Sequence, residues 1–133
     1  EIVLKEPFKV IVDYAHIPDA LEKVYQTLKW SSSKLICVLG SAGGGRDKWK
    51  RPKMGEIAEK YCDQIILTNE DPYDEDPMEI INQIAKGIKG RFERVLDREE
   101  AIMRSSNPAK MEKTLVPMDD FDVVQKPDGV MAK

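Results

Sequence analysis

Leu35-Ile36-Cys37-Val38-Leu39 is an apolar run that never alternates with polar residues, and it ends in Gly40 with a glycine-rich loop directly behind it. A strand showing only apolar side chains must be covered on both faces, a condition met inside parallel sheets flanked by crossover helices. Phe8-Lys9-Val10-Ile11-Val12-Asp13 before it and Gln64-Ile65-Ile66-Leu67-Thr68 after it have the same β-branched, strand-length character. The stretches between them carry helical spacing.

Pro18 suits a first helical turn and Asp19 favours the positive end of the helix dipole, while Ala20, Leu21, Val24 and Leu28 form one stripe that stops near Trp30-Ser31-Ser32-Ser33. From Pro52, the residues Met54, Ile57, Ala58 and Tyr61 form a second stripe, closed by Cys62 and Asp63. Asp76-Pro77 opens a third helix with Ile80, Ile81, Ile84 and Ile88 on one side, ended by Gly87 and Gly90. A short strand is expected over 91–96, and Asp97 can cap a last helix over 98–104 before Ser105-Ser106-Asn107-Pro108 breaks it. Regular β-α alternation with short connections predicts an α/β fold, a Rossmann-like, doubly wound and mostly parallel sheet with flanking helices. Beyond Pro108 the pattern degrades: 114–117 reads as an edge strand and 125–133 as a weakly ordered end, so 108–133 is expected to be an irregular, shortened tail.

At 133 residues the chain is expected to be one domain spanning 1–133. A net charge of −3 gives no overall basic field for a nucleic-acid backbone, although Arg46, Lys48, Lys50, Arg51 and Lys53 make a local cationic cluster suited to a small anion. No apolar run nears the roughly 20 residues of a membrane span, and neither an anchor nor a signal peptide is expected. Cys37 and Cys62 lack C-x-x-C spacing and companion histidines, so they are expected to be two reduced thiols of a cytosolic protein.

Gly40-Ser41-Ala42-Gly43-Gly44-Gly45-Arg46 satisfies neither G-x-G-x-x-G nor the Walker pattern, since Arg46 stands where the Walker lysine would be. Its glycines let backbone approach a ligand and Arg46 offers a planar fork to a carboxylate or phosphate; the alternative is a flexible loop with solvated charges. Lys48, Lys50 and Lys53 are expected to face solvent, while Arg46 and Arg51, which flank Trp49, could be held in place by it. His16, the single histidine, precedes a helix N-terminus where phosphate oxygens are favoured, although position alone favours a capping residue with no ligand. Asp13 ends a strand, the position from which a carboxylate commonly holds a ribose hydroxyl or a metal-bound water. In Glu70-Asp71-Pro72-Tyr73, Asp71 could receive an ammonium group on a turn stiffened by Pro72, or serve only the turn. No catalytic triad, catalytic carboxylate pair or metal cluster can be assembled, so no catalytic and no metal residue is named.

The run from Val12 to Leu21 and the run from Gly43 to Gly55, with 68–77 in register, closely resemble the carboxy-terminal domain of bacterial Mur ligases over roughly residues 7–103. The match is nearest to those members that add the third amino acid of the peptide. The resemblance implies the third domain of a cytoplasmic, ATP- and magnesium-dependent ligase of peptidoglycan precursor synthesis, with 1–7 a remnant of the interdomain linker. The phosphate loop and magnesium sites would belong to a central ATPase domain, the partner of this one. In the implied reaction the carboxylate of a UDP-MurNAc-peptide is activated as an acyl phosphate and attacked by an incoming diamino acid. Asp13 and His16 would face the nucleotide; Arg46, with Asp71, Pro72 and Tyr73, would bind the amino acid. The domain alone is expected to be inactive and to hold no cofactor tightly.

Two departures qualify that expectation. Members adding diaminopimelate carry Asp-Asn-Pro-Arg where this chain has Glu70-Asp71-Pro72-Tyr73, so Tyr73 replaces the arginine that grips the distal carboxylate and lysine or another diamino acid becomes a candidate substrate. The family's Gly-Lys-Gly-His-Glu type loop, which completes the amino-acid pocket, has no counterpart near the end of this chain, which predicts weak amino-acid binding by the domain alone. The alternatives are a stand-alone Rossmann-like binding module, or the equivalent domain of a folylpolyglutamate or cyanophycin synthetase.

Overall fold

The computed structural model describes residues 2–4, 9–12, 15–30, 34–45, 47–106, 118–119 and 122–125. Its elements in chain order are β1 (Ile2–Leu4), β2 (Lys9–Val12), α1 (Pro18–Trp30), β3 (Ile36–Gly40), α2 (Lys50–Tyr61), β4 (Gln64–Leu67), α3 (Pro77–Ala85), β5 (Glu93–Arg94), α4 (Arg98–Ser106), β6 (Met118–Asp119) and β7 (Asp122–Gln125). The expected α/β fold is present. The parallel layer is β3-β4-β5, in register through Leu39↔Leu67 and Leu67↔Arg94, and four helices accompany it among the described residues.

The apolar run that anchors the sequence reading is buried at every position of β3, with Ile36, Cys37 and Val38 fully inaccessible. Its neighbour β4 is equally covered. Each buried isoleucine, valine or leucine of these two strands contributes roughly 1.5–3 kcal/mol on burial. The predicted stripes do face the core: Leu21 and Leu28 from α1, Met54, Ile57 and Ala58 from α2, and Ile80, Ile81, Ile84 and Ile88 of the third stripe, while Ala20, Val24 and Tyr61 are partly buried and Tyr25, which the stripe did not include, is fully buried. α2 packs between α1 and α3, and α4 packs on β3. Both expected acidic caps form: Asp76 Oδ1 accepts from the Met78 amide at 3.1 Å and Asp97 Oδ1 from the Glu100 amide at 3.0 Å.

Three features depart from expectation. β7 lies between β2 and β3 and is antiparallel to both, so β2 runs in the same direction as β3 without pairing with it. β6 pairs parallel with the end of β3. These two strands fall inside the segment expected to be irregular, while 114–117, expected as an edge strand, lies outside the described residues. The third departure is Cys37 and Cys62, expected as separate thiols, which are joined in a disulfide with Cα atoms 6.1 Å apart. The cause is the β-α return: α2 runs back along the sheet and sets its C-terminal Cys62 beside β3, a proximity that a separation of 25 residues does not announce.

Candidate functional site

Because β3 and β4 are parallel neighbours in register, the loops leaving their C-terminal ends start side by side, and the Thr68 amide extends the ladder to the Leu39 carbonyl at 3.0 Å. This is the edge at which open α/β sheets bind ligands. The loops are then fastened to each other. The Gly43 amide donates to the Asp71 carbonyl at 2.7 Å and the Gly45 amide donates to Glu75 Oε2 at 3.1 Å. A Cβ at Gly43 would collide with the Pro72 carbonyl oxygen, so only glycine permits this approach. Gly44 and Gly45 take the left-handed backbone, with φ of 92° and 74°.

Between the loops is a cavity of about 220 Å³ lined by His16, Gly40, Ser41, Ala42, Lys50, Met54, Glu70, Asp71 and Tyr73. That is below the roughly 300–1,000 Å³ of sites for drug-sized ligands and on the scale of one amino acid. The structure therefore brings His16, Asp71 and Tyr73 together around one space. His16 and Asp71 are exposed, and Asp71 Oδ1 accepts from the Tyr73 amide at 3.3 Å, so the turn role expected of it is present as well. Pro72 is half-buried, and its carbonyl accepts from the Glu75 amide at 2.9 Å. Tyr73 sits at φ 50° and is 69% exposed, a left-handed conformation that is uncommon outside glycine. Asp13 and Arg46, the remaining expected site residues, lie outside the described residues.

A larger cavity of about 590 Å³ lies between the starts of α1 and α2, lined by Ile17, Pro18, Asp19, Asp47, Trp49, Lys50, Pro52, Lys53 and Glu56. Of the expected site residues that are described, His16, Asp71, Pro72 and Tyr73, none lines it. Among the described residues no group of three or more His, Cys, Asp or Glu is placed to hold a metal, and no helix is long and apolar enough to cross a membrane.

Arg51 overturns the expectation that Trp49 holds it. Trp49 is 70% exposed, while Arg51 is fully buried and donates to Glu75 Oε1 at 3.2 Å and Oε2 at 2.9 Å, to Gln83 Oε1 at 2.7 Å and to the Ala42 carbonyl at 3.0 Å. Lys48, exposed as expected, adds an ion pair to Glu75 at 3.3 Å. The bonds from Arg51 and from the Gly45 amide hold the Glu75 carboxyl down to about 2. Sequence reasoning missed this pair. The signal was present in the spacing, since Arg51 shares a helical stripe with Met54, Gly55 and Ala58, and a cation on an apolar stripe requires a buried partner.

Comparison with known proteins places this geometry in context. The family profile described as "Mur ligase, glutamate ligase domain" matches residues 1–118. A UDP-N-acetylmuramoyl-L-alanyl-D-glutamate--2,6-diaminopimelate ligase of Aquifex aeolicus is 50% identical over 113 residues, covering 83% of this chain and 23% of that protein. The protein of the same name from Syntrophomonas wolfei is 47% identical over 110 residues, covering 79% of this chain and 22% of its own length. A solved structure of a ligase of that name superposes with a TM-score of 0.68 at 34% identity, over 91% of this chain and 27% of the other. The chain thus spans about a quarter of the length of the relatives it matches.

Proposed function

The chain belongs to the Mur ligase family, as its carboxy-terminal, glutamate ligase domain, and from that premise we propose that it holds the incoming amino acid of a peptide-bond-forming ligase of peptidoglycan precursor synthesis. The observation that carries this reading is the small cavity between the two fastened loops, which has both signs of charge on its walls. Glu70 and Asp71 stand on the side of the second loop, suited to an ammonium group, and Lys50 at the start of α2 is suited to a carboxylate. Arg46 would add its guanidinium to the same carboxylate. Tyr73 closes the cavity at the tip of the second loop, where it would meet the distal end of a diamino acid.

His16 precedes the N-terminus of α1, whose unpaired amides favour phosphate oxygens, and with Asp13 it would face a nucleotide bound mainly by a central domain. ATP, when bound there, supplies the phosphoryl group that activates the acceptor carboxylate. The contribution of this domain is to orient the amino group for attack, the proximity term in the catalysis.

The reading is tested in the ligase that carries this domain, with UDP-N-acetylmuramoyl-dipeptide, ATP and either L-lysine or meso-diaminopimelate. Ligation of one of these diamino acids is expected, and preference for lysine would assign selectivity to Tyr73. The 133-residue chain alone is expected to hydrolyse no ATP. Failure of the ligase to accept either diamino acid would sink the proposal.

A further inference from the structure

Arg51 and Glu75 do not line the cavity, yet both loops that do are tied to them. The Arg51 guanidinium reaches the Ala42 carbonyl of the first loop at 3.0 Å and Glu75 of the second at 2.9 Å, while Glu75 in turn accepts from the Gly45 amide of the first loop at 3.1 Å. Gln83 of α3 anchors the far side of the guanidinium at 2.7 Å. Burying an arginine completely is costly, and a well-packed apolar pair of similar volume generally serves stability as well or better. What an apolar pair could not do is bond to the Ala42 carbonyl and the Gly45 amide together. The ion pair therefore does geometric work: it fixes the distance between two loops that are also linked by the Gly43 amide and the Asp71 carbonyl.

We propose that the Arg51–Glu75 pair is a positioning clasp that sets the width of the amino-acid cavity, and so governs amino-acid affinity without touching the ligand. The inference rests on the reading of that cavity as the amino-acid site. Its consequence is selective. Loosening the clasp displaces Asp71 and Tyr73 relative to Ser41 and Lys50, but leaves His16 and the start of α1 on a different connection, the one that follows β2.

Two measurements test the clasp separately from the function beneath it. In the 133-residue chain, Arg51→Lys and Glu75→Gln are each expected to speed amide exchange at Gly43 and Gly45 about tenfold or more, a local opening, with β3 and β4 amides unchanged. In the parent ligase the same variants are expected to raise KM for the accepted diamino acid roughly 10- to 100-fold, the scale of a misplaced substrate, with KM for ATP unchanged and kcat less affected. Gln83→Leu removes one acceptor, leaves the charge pair intact, and is expected to shift both readouts less in the same direction, which keeps the test open if a charge variant fails to fold. Unchanged loop exchange overturns the clasp. Faster exchange with both KM values rising together overturns its selectivity, because that result describes general loosening. If the unmodified ligase takes no diamino acid, the functional reading fails, while loop exchange still decides whether the pair fastens the loops.

Discussion

Glu75 shows how much one side chain can organise when its neighbours are chosen by the fold. It is the shared acceptor of Arg51, Lys48 and the Gly45 amide, and the Arg51 bonds are the first cause of a carboxyl pKa lowered from 4.5 to about 2. A carboxyl whose folded pKa is depressed contributes stability that is complete above its unfolded value and is lost as pH falls through its folded value. The stability difference between the unmodified chain and Glu75→Gln is therefore expected to be constant above about pH 5 and to shrink between about pH 4.5 and 2. Urea denaturation across that range measures it, and a difference that grows on acidification would contradict the assigned pairing. Arg51 and Glu75 are also where sequence reading fell short. Pro52 is a natural helix start, and beginning the helix there left Arg51 outside the stripe to which it belongs, while its partner lies 24 residues away, beyond any local pattern.

At the scale of elements, what is legible in sequence is what local chemistry determines. β3 announces itself because an unbroken apolar run has no other stable home, and α3 because Asp76-Pro77 sets a cap and first turn ahead of an isoleucine stripe. Asp76→Ala removes the bond to the Met78 amide and is expected to cost about 1 kcal/mol in chemical denaturation, within the usual range for a lost cap. The strands that escaped reading have the opposite character. β7 is Asp-Val-Val-Gln, too short and too polar to be distinguished from a loop, and it becomes a strand because β2 and β3 offer it two edges at once. The two loops were legible in sequence as glycine-rich and charged connections at the strand ends. Their attachment to each other was not, since the collision that requires glycine at position 43 involves a carbonyl from the second loop.

On the scale of the whole molecule, the sheet is assembled from distant parts of the chain. β7 pairs Lys9 with Gln125 on one side and Ile36 with Val124 on the other, joining β2 to the parallel layer. A chain ending at residue 117 is therefore expected to expose two unpaired strand edges and to form soluble aggregates in size-exclusion chromatography, where the full chain elutes as a discrete species. A discrete, unaggregated truncated species would show that β2 and β3 tolerate the loss. The same arrangement imposes an order of events during biosynthesis. A growing polypeptide can complete the cavity between the two loops early, because its described lining lies between His16 and Tyr73, but the edge of β2 opposite β1 waits unmatched until residues 122–125 have been translated. For that interval the nascent domain carries two open strand edges beside a finished pocket, and the length of that exposure is set by when residues 122–125 leave the ribosome.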